Sequence, residues 1–121
     1  YFLNGIVVSG YRVGRKIGFP TANLRVDDPD KLVPSDGVYA VCVTVAGQGY
    51  GGMLSIGYRP TMANGTDRSI EVNIFNFHSD IYEQYICLSF VRYLRPELKF
   101  DSIDELIAQL HKDKEIASRY L

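Results

Sequence analysis

Residues Val38–Val45 read VYAVCVTV. β-Branched and aromatic residues dominate the stretch, and such residues favour strands. Along a strand, alternate side chains take opposite faces. One face then carries Val38, Ala40, Cys42 and Thr44, and the other carries Tyr39, Val41, Val43 and Val45. Both faces are largely apolar, so both need cover. A sheet closed into a barrel covers one face with its own interior, and a helix or loops cover part of the other.

Five further stretches read as strands on either side: Phe2–Val8, Ala22–Val26, Tyr50–Ile56, Ser69–Phe77 and Tyr85–Tyr93. Turn signals separate them, PSDG at Pro34–Gly37, AGQG at Ala46–Gly49, ANGTD at Ala63–Asp67 and HSD at His78–Asp80. A helix closes the chain. Ser102 to Glu105 forms an S-x-x-E capping box. Ile103, Leu106, Ile107, Leu110, Ala117 and Leu121 then recur at helical spacing, with Asp113 placed to restart the helix after a short break. The expected fold is mainly β, a six-stranded barrel with a C-terminal α-helix packed on it.

The 121 residues suit one domain, and no repeat or linker divides them. A net charge of −1 gives no electrostatic pointer to nucleic acid or to a membrane surface, so neither is expected as a partner. No apolar run approaches the roughly 20 residues of a spanning helix. The chain opens at Tyr1 with neither an initiator Met nor a signal peptide, which reads as a domain excised from a longer chain. Cys42 and Cys87 sit in apolar strand-like runs and read as buried free thiols of a reducing cytoplasm, rather than a disulfide or a catalytic thiol. His78 and His111 have no Cys or His companions at ligand spacing, which argues against zinc.

Four segments are candidates for chemistry. Gly47, Gly49 and Gly52 satisfy G-x-G-x-x-G, but a strand follows where a dinucleotide site needs a helix. The plain reading is a glycine-rich hairpin. The second segment is GRKIGFPTANL, Gly14–Leu24. Gly10, Gly14 and Gly18 recur every four residues, with Arg12, Arg15 and Lys16 between them. Such a loop either lies solvated on the surface or forms a nest of N–H groups for an anion. Pro20 stiffens the approach to the next strand, where Thr21 and Asn23 share one face. A hydroxyl and an amide oxygen are hard neutral donors of the kind Mg²⁺ accepts beside nucleotide phosphates; two outward polar residues at a strand start are the alternative.

The third is RSIEVNIFNF, Arg68–Phe77, in which Glu71 and Asn73 share a face. A carboxylate there is either an ordinary surface Glu or a base for a substrate hydroxyl. The fourth is FVRYLRPELKFDS, Phe90–Ser102. Its aromatic and cationic side chains either hold a flat heterocycle or anchor the helix.

Taken together, GRKIGFPTANL, DGVYAV at Asp36–Val41, IGYRPT at Ile56–Thr61, IEVNIF at Ile70–Phe75 and LRPELKFDSIDEL at Leu94–Leu106 resemble the riboflavin kinase family, in family order over essentially the whole chain. The form resembled is the C-terminal half of bacterial bifunctional riboflavin kinase/FMN adenylyltransferases. The resemblance implies a Greek-key barrel, a cytoplasmic enzyme, and an N-terminal adenylyltransferase domain in the native chain. It implies transfer of the γ-phosphoryl of ATP to the 5′-hydroxyl of riboflavin, giving FMN and ADP. By the same resemblance Thr21 and Asn23 hold Mg²⁺ and the nucleotide phosphates. Gly10, Gly14, Arg15, Lys16, Gly18 and Pro20 belong to the ATP-binding loop, which folds over the nucleotide. Glu71 is the general base. Arg92, Arg95, Glu97, Phe100 and Asp101 flank the flavin on a mobile flap.

The chain departs from common family wording at four places. Ser9 and Asn73 stand where His is usual, Ser55 where Asn is usual, and Asn76 where Asp is usual. Two other classes of function compete. A non-catalytic flavin- or nucleotide-binding barrel needs the loop and the flap but not Glu71. An oligonucleotide-binding barrel needs a basic aromatic face, which the net charge opposes.

Overall fold

The computed structural model describes residues 2–10, 18–26, 34–60, 66–77 and 81–121. Six strands and one helix follow in order: β1 (Phe2–Gly10), β2 (Ala22–Val26), β3 (Gly37–Val45), β4 (Gln48–Pro60), β5 (Thr66–Ile74), β6 (Tyr85–Arg95) and α1 (Ile103–Ser118). The strands close into a barrel in the order β1-β2-β5-β4-β3-β6, and every pairing is antiparallel. β3, β4 and β5 are neighbours in succession, and β6 returns to lie beside β3. That return is the Greek-key connection.

Alternation in each strand fills the interior. Tyr39, Val41, Val43 and Val45 of β3 meet Leu54 and Ile56 of β4, Ile70 and Val72 of β5, and Ile86 and Leu88 of β6 in one apolar cluster. Between β3 and β4 the chain reverses in two residues, Ala46 at φ 50° and Gly47 at φ 79°. Two left-handed residues make the tight turn that matches strand twist. Gly47, Gly49 and Gly52 therefore belong to a hairpin and its strand, and the dinucleotide reading falls away.

The outer face of β3 has two fates. Val38 and Ala40 are buried in a second apolar layer with Met53, Phe75 and Ala117 of the helix, whereas Cys42 and Thr44 are exposed. Helical cover thus reaches half of the strand. The expectation of buried thiols is corrected here. Cys42 is exposed, and Cys87 is half-buried with its Sγ hydrogen-bonded to Asn4 Oδ1; both are free.

The helix begins as its capping box predicts. Ser102 Oγ accepts the Glu105 N–H at 3.2 Å, and Glu105 Oε2 reaches back to the N–H of Asp101 at 3.1 Å. There is no break before Asp113, contrary to the sequence reading; α1 runs without interruption through Ser118. Asp113 is a buried residue on its packed side, 2% exposed. No helix of the described residues is long and apolar enough to cross a membrane.

Candidate active site

The segment leading to Thr21 is fixed at three successive residues. Gly18 adopts φ +84°, open to glycine without strain. Phe19 is 5% exposed, sunk into the layer between barrel and helix, and meets the His111 ring edge-on at 4.9 Å. The Pro20 carbonyl accepts a hydrogen bond from Asn73 Nδ2 at 2.7 Å. Thr21 follows and lines a cleft.

Register then sets polar groups side by side. Asn23 of β2 pairs with Glu71 of β5, and Glu71 pairs in turn with Ser55 of β4. Ser55 pairs with Val38, and Val38 with Arg95. A single row thus crosses five strands, with Glu71 between Asn23 and Ser55. Neighbouring strands stand about 4.8 Å apart, so each member of the row lies within reach of the next. Glu71 is half-buried, and the Asn23 amide oxygen is buried. Ala22 and Leu24 point the other way, into the barrel core. Both paired-face expectations, Thr21 with Asn23 and Glu71 with Asn73, agree with this arrangement.

The cleft has a volume of about 480 Å³. Thr21, Ser55, Glu71 and Asn73 form its polar wall on the barrel, while Leu98 and Phe100 of the segment between β6 and the helix, and Leu106 and Leu110 of the helix, form an apolar one. Glu97 also lines it, with its carboxylate lying against Gly57. A β-carbon at position 57 would fall 2.1 Å from Glu97 Oε1, so the carboxylate occupies the space a side chain would take.

An ion pair joins the two walls. Arg95 Nε donates to Asp113 Oδ1 at 2.9 Å, and Arg95 Nη2 donates to Oδ2 at 2.7 Å. Gln109 Nε2 adds a bond to Oδ1 at 2.9 Å, and Arg95 Nη1 donates to the Pro96 carbonyl at 3.0 Å. This bidentate geometry holds helix, β6 and the start of the following segment in one unit.

Not every expected residue gathers at the cleft. Thr21, Glu71, Arg95, Glu97 and Phe100 line it, and Asn23 stands beside Glu71. Gly10 ends β1, paired with Ala22, and Gly18 is exposed. Gly14, Arg15 and Lys16 lie outside the described residues. Arg92 sits away from the lining, 4.9 Å from the centre of the Tyr120 ring. Asp101 is exposed at the helix start, its N–H bonded to Glu105. Arg95 reaches the cleft with its guanidinium engaged by Asp113. Sequence reasoning missed Asp113, Leu106 and Leu110 as parts of the site. Their signal was spacing, since Leu106, Leu110, Asp113 and Ala117 fall on one helical face.

Fold and cleft together define a small antiparallel-barrel domain with a cleft that is polar on its barrel wall and apolar on the wall opposite. The riboflavin kinase family model (Flavokinase) matches residues 1–121, and the chain belongs to that family. A bifunctional riboflavin kinase/FMN adenylyltransferase from Listeria monocytogenes is 47% identical over 115 residues, covering 95% of this chain and 36% of that protein. The chain therefore spans just over a third of that relative's length. A solved structure described as a macrolide-efflux protein from Streptococcus pneumoniae superposes with a TM-score of 0.91 at 40% identity, covering 99% of this chain and 39% of that one. Riboflavin kinase from Trypanosoma brucei shares the fold, with a TM-score of 0.63 at 23% identity over 98% of this chain and 77% of that one.

Proposed function

We propose that this domain transfers the γ-phosphoryl group of ATP to the 5′-hydroxyl of riboflavin, giving FMN and ADP. The observation that carries the proposal is the half-buried Glu71 carboxylate, set in register between Asn23 and Ser55 on the cleft wall that also bears Thr21. Phosphoryl transfer asks a protein mainly to position its reactants and to stabilise charge. Glu71 accepts the proton of the 5′-hydroxyl as the new P–O bond forms and the bond from Pγ to the bridging oxygen breaks, leaving ADP. The leucines and Phe100 of the opposite wall suit the flat, largely apolar ring system of a flavin. Glu97 borders the same space, and Arg95 serves it by holding the wall through Asp113.

The donors present fit Mg²⁺. A threonine hydroxyl and a buried asparagine amide oxygen are hard neutral ligands, and such a site leaves positions for water and phosphate oxygens. Thr21 and Asn23 would hold the ion, which when bound supplies charge neutralisation to the phosphates. The family resemblance assigns the glycines and cations of Gly10–Phe19, most of them outside the described residues, to the same end. The complete protein carries an adenylyltransferase domain as well, by analogy with the bifunctional relative.

The test is FMN formation by the purified domain with riboflavin, ATP and Mg²⁺, beside an EDTA control. Metal-dependent FMN is the expected result. A folded domain that binds riboflavin and yields no FMN would point to a binding module instead.

A further inference from the structure

We infer that Asn73 is a positioning residue for the nucleotide side of the site, acting through the Pro20 carbonyl. The inference rests on the kinase reading above. Asn73 is 7% exposed and, with Asp113, one of two buried polar or charged residues among those described. It stands two residues beyond Glu71 on the same face of β5, and Met53 is its partner on β4. Its Nδ2 donates to Pro20 O at 2.7 Å, a bond that joins residues 53 apart in the chain.

The place of that acceptor gives the bond its consequence. Proline has no N–H, so residue 20 cannot tie itself to a neighbouring strand as a donor. Its carbonyl is what remains, and Asn73 takes it. The peptide unit so held is the one that leads into Thr21. Ala22 pairs with Val72 and Asn23 with Glu71, so the register carried one residue back brings Thr21 alongside Asn73. One strand thereby presents the base, Glu71, and anchors the segment that presents the hydroxyl and amide oxygens. The donor is buried and Pro20 is half-buried, so a carbonyl that loses Asn73 turns toward water or another donor and takes its peptide unit with it. A displacement of a fraction of an ångström at Pro20 passes directly to Thr21.

The closing experiment compares wild type with Asn73→Leu, which keeps the shape and removes the donor, and with Asn73→His, whose ring N–H restores one. MgADP binding is read by calorimetry, riboflavin binding by fluorescence quenching, and steady-state KM values for both substrates alongside. Asn73→Leu should weaken MgADP and raise KM for ATP about tenfold, the scale of one lost hydrogen bond, with riboflavin affinity within about twofold of wild type. Asn73→His should recover most of the nucleotide affinity. A general structural role would instead lower both affinities together, and that result, or equal MgADP affinity in Asn73→Leu, would overturn the inference alone. A folded wild type that binds no MgADP would overturn the kinase reading and this inference with it. Should Asn73→Leu fail to fold, side-chain amide resonances of Asn73 in wild type provide the second measurement. They should exchange slowly and shift with MgADP but not with riboflavin; fast exchange and no shift with MgADP would overturn it.

Discussion

The outside of this barrel has two halves, and they differ in almost every respect. Where β3, β4 and β5 face the helix, Val38, Ala40, Met53 and Phe75 are buried and Thr21, Ser55, Glu71 and Asn73 border a cleft. Where β1, the start of β6 and the far end of β3 face outward, Phe2, Asn4, Cys42, Thr44 and Tyr85 stand exposed, with no second layer over them among the described residues. The strands are of one kind and the interior core beneath them is continuous. What differs is the layer above. A barrel wall acquires a cleft where a helix leans over it at a distance that leaves room between the two.

Substitutions on the two halves should differ accordingly. The largest effect is expected at Glu71. Glu71→Gln should reduce FMN turnover by about 10²–10⁴-fold, the usual share of a general base, while MgADP still binds. Normal turnover in that variant would remove Glu71 from the chemistry. Next is the strut between the walls. Asp113→Ala strands a largely buried Arg95 and should cost about 3–5 kcal/mol in urea unfolding. Loss of the Glu115–Arg119 pair on the exposed side of the same helix should cost less than about 1 kcal/mol. Equal effects from the two would mean that the helix is not held as described. A smaller change is expected from Thr21→Val, about tenfold weaker MgADP binding at unchanged stability. Smallest is Cys42→Ser on the bare half, within about 0.5 kcal/mol of wild type in stability and without effect on turnover. A turnover defect there would mean that the bare half communicates with the cleft.

The strands were legible because their alternation is strong, and Val38–Val45 alone asked for a barrel. Their ends were less so. β4 extends to Gln48 and Pro60, beyond the expected Tyr50–Ile56, because its ladder with β3 and β5 continues through glycines and a proline that have little strand preference of their own. On the site, period-two spacing sufficed for the shared faces of Thr21 with Asn23 and Glu71 with Asn73. What escaped was tertiary. Asp113 has the chemistry of a helix cap, and only its pairing with Arg95, 18 residues earlier, makes it a buried strut. Phe19 reads as one more apolar residue before a proline until the helix is seen lying over it. The apolar neighbours of both thiols suggest burial, yet Cys42 is exposed because helical cover of β3 stops at Ala40, and Cys87 is only half-buried beside Asn4.

The row Asn23–Glu71–Ser55–Val38–Arg95 makes the backbone lattice a ruler. Its graduations are the interstrand separation of about 4.8 Å, which is set by peptide hydrogen bonds and is the same in any sheet. Mutation can change which atoms stand at the marks but not the distance between the marks. A lineage that altered the size of its substrate could move the far side of the cleft, the residues beyond Arg95 or the helix, whereas on the graduated wall it could exchange side chains only and never shift the marks themselves.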